Sequence, residues 1–331
     1  MDMNSGRASK GGLTRSGVEC NMSPVRGKTG GGVSAGRGES MQVPAVFDYE
    51  RASTVEDALA LLVRHGPEAR LIAGGHSLLP MMKLRLARPD VVIDINELRE
   101  LDYIRVEGDE LAIGAMTRHA TVLESPLLAQ HYHIFAEAER VIADPLVRNR
   151  GTVGGSLCQA DPSEDLSAVF AALRGRVMIR SATQTRTVDA RGFHVGPYQT
   201  EVRDAEILTE VRVPLRPGSG SCYQKVERRA GDWSIAAAGA FVQLEGDLVV
   251  DVGIGITAVG AEQFTCSEAE EILRGSDGSE SVVETAARRC GELCNPSADQ
   301  RGPVDYKRHL VAVLVGRALT KSIARAKGDM S

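Results

Sequence analysis

Two glycine pairs constrain this chain more than any other feature. Ala73-Gly74-Gly75-His76-Ser77-Leu78 follows directly on the apolar strand signal Arg70-Leu71-Ile72-Ala73, and Thr152-Val153-Gly154-Gly155-Ser156 places a hydroxyl ahead of the second pair. Where side chains are missing, backbone N–H groups approach a ligand closely and donate to an anion. A diphosphate is the natural guest, and two such loops would clamp one dinucleotide from both sides. A glycine pair by itself is a tight turn more often than an anion site. The residues alone therefore support a dinucleotide or diphosphate site and nothing narrower.

The remaining chemistry is bounded mainly by exclusion. With 331 residues, 43% hydrophobic and 25% charged, the chain is long enough for two ordinary domains. A net charge of -5, without basic stripes interleaved with aromatics, argues against nucleic acid as a partner. No run of about 18 apolar residues is present, so no membrane span is expected and the chain reads as cytoplasmic. Six cysteines form no disulfide framework; Cys290 and Cys294 share a helical spacing and read as packed thiols, with no metal site and no iron-sulfur cluster of the chain's own. No catalytic triad, metal-binding helix or paired-carboxylate motif is assignable from spacing. A redox cofactor would carry such a protein's chemistry without them.

Patterned sequence begins at Met41. Residues 1–40 hold ten Gly and six Ser without an apolar period and are expected to be disordered. A capping box at Ser53 and Glu56, an apolar face of Val55, Ala58, Leu59, Leu62 and Val63, and a stop at Gly66 predict a helix over 54–65. Strands are expected at 70–73 and 91–95, a hairpin at 103–106 and 111–113, and a helix opening at Thr117. The second glycine loop should precede a helix with Leu166, Val169, Phe170 and Leu173 on its core face. Pro217-Gly218-Ser219-Gly220 marks the internal boundary. Beyond it lie long strands at 221–229, 234–244 and 248–259, then three helices. Their signals include a capping box at Ser267 and Glu270, Pro303, and a last buried face of Leu310, Val311, Leu314, Val315 and Ala318. Gly253-Ile254-Gly255-Ile256-Thr257-Ala258 matches a nucleotide-binding pattern, but it lies in a hairpin arm, opens no helix and reads as sheet glycine.

Read as whole strings, 71–86 (LIAGGHSLLPMMKLRL) and 148–157 (RNRGTVGGSL) resemble the two signature loops of the flavoprotein subunits of the xanthine dehydrogenase and carbon monoxide dehydrogenase family of molybdenum hydroxylases. Ala160-Asp161-Pro162, Asp165-Leu166, Glu206-Ile207-Leu208 and Lys225 through Trp233 follow in the same order. The resemblance implies an α+β chain: a two-lobed FAD-binding domain of the vanillyl-alcohol oxidase (PCMH) type over 41–217, and a small α+β C-terminal domain, an antiparallel sheet with helices, over 221–327. It implies that Ala73, Gly74, Gly75, His76, Ser77 and Leu78 carry one side of the FAD pyrophosphate and Thr152, Val153, Gly154, Gly155 and Ser156 the other. Asp165 would anchor the polar part of the cofactor, Leu208 would lie near the flavin, and Lys225 would reach in from the C-terminal domain. Ser156 departs from the Asn or Asp common at that position, and its hydroxyl keeps a hydrogen-bonding group there.

The implied role is electron transfer. Substrate would be oxidised at a molybdopterin centre in a large partner subunit, with electrons passing through iron-sulfur clusters of a small partner subunit to FAD here. A small-molecule acceptor such as quinone, NAD or oxygen would take them up, the assembly being a dimer of heterotrimers. A stand-alone flavin oxidoreductase of the same superfamily would need a substrate pocket for which the C-terminal domain has little length. A binding module that has lost FAD is disfavoured by two intact glycine loops.

Overall fold

The computed structural model describes residues 43–260 and 264–329; the expected disordered head over 1–40 lies outside them. The first lobe runs β1 (Asp48–Arg51), α1 (Val55–His65), β2 (Ala69–Ile72), α2 (Leu78–Lys83) and β3 (Val91–Asp94), with strands parallel in the order β1-β3-β2. Parallel pairing needs a crossover, and α1 supplies one by burying Val55, Ala58, Leu59 and Leu62 with Ile93 and Ala69. The helix fills its predicted span with two corrections. Thr54 is the N-cap, accepting from the Asp57 N–H while the Asp57 carboxylate accepts from the Ser53 N–H, so the reciprocal cap sits one residue later than Ser53 and Glu56. Val63 is 62% exposed, and Leu61 is buried in its stead.

The second lobe opens with the predicted hairpin, β4 (Ile104–Glu107) and β5 (Glu110–Gly114). A helical run follows: α3 (His119–Glu124), α4 (Pro126–His131), α5 (His133–Val141), α6 (Pro145–Arg148), α7 (Val153–Gln159) and α8 (Asp165–Ala172). The chain returns through β6 (Arg176–Arg180), β7 (Thr185–Asp189), α9 (Ala190–Phe193), the ribbon of β8 (His194–Gly196) and β9 (Gln199–Thr200), and β10 (Ile207–Pro214). The antiparallel sheet has the order β4-β5-β10-β6-β7. Thr117 caps no helix: α3 begins two residues later, and the Thr117 hydroxyl donates to the Tyr103 carbonyl and accepts from its N–H.

The third part is the meander β11 (Ser219–Glu227), β12 (Ser234–Glu245) and β13 (Leu248–Thr257), then α10 (Ser267–Leu273), α11 (Glu280–Leu293) and α12 (Val304–Ala326). Its sheet is buried on both faces. Ala236, Ala238, Ala240 and Val242 pack with the three helices, while Ala237 and Phe241 pack with α5 and α8 of the second lobe. Every residue of α8 is buried between the two sheets. Gly253 and Gly255 make that possible: a Cβ at either would collide with the carbonyl oxygen of Ala172 or Ala168. The nucleotide-motif lookalike is thus a contact between helix and sheet.

The capping box expected at Ser267 is also replaced. Cys266 is the N-cap, and the buried Glu270 takes two Arg191 N–H groups and the Ile254 N–H. Cys290 and Cys294 lie in the C-terminal core, and Leu310 is only partly buried beside Val311, Leu314, Val315 and Ala318. Among the described residues, no helix is long and apolar enough to cross a membrane.

Candidate functional site

The first glycine segment leaves β2 at Ile72 and enters α2 at Leu78. Gly75 has φ +76°, a left-handed conformation that turns the chain there. Among the described residues, the N–H groups of Gly75, His76, Ser77 and Leu78 donate to no backbone or side-chain acceptor. Consecutive N–H groups without acceptors around a left-handed glycine are the kind of backbone arrangement that suits an anion. His76 turns back on the segment, its Nδ1 2.9 Å from the Gly74 carbonyl. Asn96 fixes the entry: its amide donates to the Ala73 carbonyl at 2.6 Å, and its Oδ1 accepts from Arg118 at 3.0 Å. Arg118 continues to the Arg150 carbonyl, and burial lowers its pKa from the ordinary arginine value.

The second segment is helix rather than loop. Thr152 is the N-cap of α7, its hydroxyl accepting from the Gly155 N–H at 3.1 Å and its carbonyl from the Ser156 N–H at 3.0 Å. The Val153 and Gly154 N–H groups donate to Thr117 and Ala115 carbonyls at 3.0 and 2.8 Å. All four are therefore taken, contrary to the expectation that this pair repeats the first one's anion-binding device. Gly154 is small because α7 lies against the end of β5, where a Cβ would meet the Ala115 Cβ at 2.7 Å and its carbonyl oxygen at 2.9 Å. Gly155 is exposed, and a Cβ there would approach the capping Thr152 hydroxyl to 2.7 Å.

The fold brings the two segments together. A side chain on Gly74 would collide with the Arg150 carbonyl and approach the Gly151 Cα to 2.8 Å, and at the far end the Gln159 amide reaches the Met81 sulfur at 3.2 Å. The α2 segment and α7 thus lie side by side, with donors that meet no acceptor among the described residues on one and the Ser156 hydroxyl and exposed Gly155 on the other.

Below this surface the polar groups are buried. Ser156 Oγ lies 3.0 Å from His119 Nε2, and His119 Nδ1 lies 3.0 Å from both oxygens of Glu139. Burial opposes a charged imidazole at His119, but Glu139, with Glu164 and Asp165 farther off, outweighs it and raises the histidine pKa. Asp165, the first residue of α8, accepts from the Tyr223 hydroxyl at 2.6 Å, Lys225 Nζ at 2.9 Å and the Ser234 hydroxyl at 3.0 Å. Lys225 also donates to the Val141 carbonyl. Asp165 and Lys225 are therefore an ion pair across the boundary between the lobes and the C-terminal part, with side chains only 7% and 2% exposed. Glu164 caps α8 through the Leu166 and Ser167 N–H groups, yet burial still pushes its carboxyl up to about 7.

Comparison with known proteins settles what kind of chain this is. Residues 45–216 match the model of the FAD binding domain in molybdopterin dehydrogenase, and 221–322 match that of the CO dehydrogenase flavoprotein C-terminal domain. The chain belongs to this flavoprotein family. It is 38% identical to the carbon monoxide dehydrogenase medium chain of Hydrogenophaga pseudoflava over 86% of this chain and 99% of that one. It is 36% identical to the nicotine 6-hydroxylase medium subunit of Paenarthrobacter nicotinovorans, over 86% of this chain and all of that one. A solved structure of the Hydrogenophaga carbon monoxide dehydrogenase superposes with a TM-score of 0.83 at 40% identity, covering 86% of this chain and 99% of that one.

FAD is the cofactor of this family, and the donors at 75–78 suit its diphosphate. Of the residues read from sequence, 73–78 and 152–156 adjoin. Asp165 and Lys225 meet each other, and Leu208 is buried in β10, which packs beside α7. Sequence reading missed His119, Glu139, Tyr223 and Ser234. One signal was available: Glu139 shares a helical face with the apolar Phe135, Ala138 and Ile142, where a carboxylate needs a partner.

Proposed function

We propose that this chain is the FAD-binding electron-transfer subunit of a molybdenum hydroxylase complex. It would receive electrons from iron-sulfur clusters of a small partner subunit, supplied in turn by a molybdopterin large subunit, and pass them to a small-molecule acceptor. The observation that carries this reading is the row of N–H groups at 75–78 that meet no acceptor among the described residues, built against the start of α7 in a chain of this family. Bound FAD supplies the redox chemistry. The chain's own work is to bind and orient it: residues 73–78 cradle the diphosphate, and Gly155 and Ser156 face it from α7. Asp165 is held in one orientation by Lys225, Tyr223 and Ser234, and Leu208 is part of the apolar packing beneath α7. In this reading 41–217 and 221–327 act as two domains clamped by the pair of Asp165 and Lys225, in a cytoplasmic dimer of heterotrimers. Native purification tests it: flavin absorption bands and co-elution with an iron-sulfur chain and a molybdopterin chain are expected. Turnover of a substrate by this chain alone, or a preparation without flavin, would overturn the reading.

A further inference from the structure

We propose that Ser156, His119 and Glu139 form a proton-dependent switch that sets whether the Ser156 hydroxyl donates to the cofactor's diphosphate or turns its lone pairs toward it. The inference rests on the FAD reading of this surface. Ser156 is half-buried in the first turn of α7, whereas His119 is 3% exposed and Glu139 fully buried. The ring is wedged beneath the turn before α7, since a Cβ on Gly151 would meet its Cδ2 at 2.7 Å.

The hydrogen-bond logic follows from imidazole having two nitrogens. While the His119 and Glu139 pair holds its shared proton, Nε2 carries a hydrogen, whether the second proton sits on Nδ1 or on the carboxyl. Nε2–H then donates to Ser156 Oγ, and the serine must direct its own O–H outward. Phosphate oxygens only accept, so this state binds. Once the pair loses the proton, Nδ1–H donates to the Glu139 carboxylate and Nε2 becomes an acceptor. The serine O–H turns inward, and lone pairs face the diphosphate.

The charges around the ring favour the protonated state. Glu139 faces it from α5, with Asp165 at the start of α8 and, once its own raised carboxyl has ionised at about pH 7, Glu164 beside it. Lys225 of β11 offsets Asp165 at 2.9 Å, and Arg148 of α6 acts on Glu139.

The test titrates FAD into the full chain by flavin fluorescence from mildly acidic to alkaline pH, with His119 followed by NMR in the FAD-free chain. Wild-type affinity should fall about tenfold through the His119 titration, the worth of one hydrogen bond to a charged group. Ser156→Ala should bind about tenfold more weakly near neutral pH with no step. Ser156→Thr should restore the step, and Glu139→Gln should move it to lower pH. A Ser156→Ala chain that keeps the wild-type step, or wild-type affinity that stays flat while His119 titrates, overturns the switch alone. Absence of FAD binding by the wild type at every pH overturns the cofactor reading, and the switch with it.

Discussion

At 75–78 four consecutive N–H groups meet no acceptor among the described residues. At 153–156 every N–H is bonded, to the carbonyls of Thr117, Ala115 and Thr152 and to the Thr152 hydroxyl. Two glycine pairs that look alike in sequence thus serve different needs. The first leaves backbone donors without an acceptor among the described residues, as the proposed diphosphate site requires; Gly154 of the second removes a side chain so that a helix can lie against β5. A glycine pair becomes a ligand device only where the neighbouring backbone leaves its donors unpaired.

The two roles come apart under mutation. Gly154→Val forces a branched side chain into Ala115, and we expect a loss of about 3 kcal/mol in urea unfolding, with FAD retention lost as a consequence. Unchanged stability in that variant would contradict the packing role. The second segment also leads into the buried Glu164, whose carboxyl is raised by burial from 4.5 to about 7. The folded state then holds a proton that the unfolded state releases. That contribution is complete below pH 4.5 and lost as pH rises through about 7, at up to about 1.4 kcal/mol per pH unit. Denaturation measured over this window should slope less steeply in Glu164→Gln than in the wild type.

Gly75→Ala probes the other segment. Its φ of +76° costs an alanine about 1–2 kcal/mol, and the Cβ would meet only the side-chain tips of Ile72 and Leu79 at 3.2 Å. We expect FAD affinity to fall about tenfold or more in this variant as the donors are re-aimed. Asn96→Ala, which unties the Ala73 carbonyl from Arg118, should cost about 1 kcal/mol and weaken FAD less than Gly75→Ala does. The opposite order would place the specificity in the linkage rather than in the loop.

Much of this architecture was legible before any coordinates. The strand β2 ahead of Gly74, the hairpin at Gly108, the long C-terminal strands and the stop at Gly66 each rest on a local period or turn. The caps at Thr54 and Cys266 were missed because several polar residues stand together there and packing chooses among them. The occupied donors of Val153 and Gly154 were illegible for another reason: their acceptors, Thr117 and Ala115, are distant in sequence and reach α7 only because β5 ends beside it, whereas Gly155 and Ser156 bond to the neighbouring Thr152. Asp165 shows the same limit. The resemblance implied a cofactor contact for it, whereas the partners it meets, Tyr223, Lys225 and Ser234, come from another module.

Amide hydrogen exchange on the FAD-free and FAD-loaded chain tests the asymmetry most directly. The amides of 75–78 should exchange rapidly without FAD and become strongly protected with it, while those of 153–156 should be protected in both states. Protection gained at 153–156 with none gained at 75–78 would contradict the account.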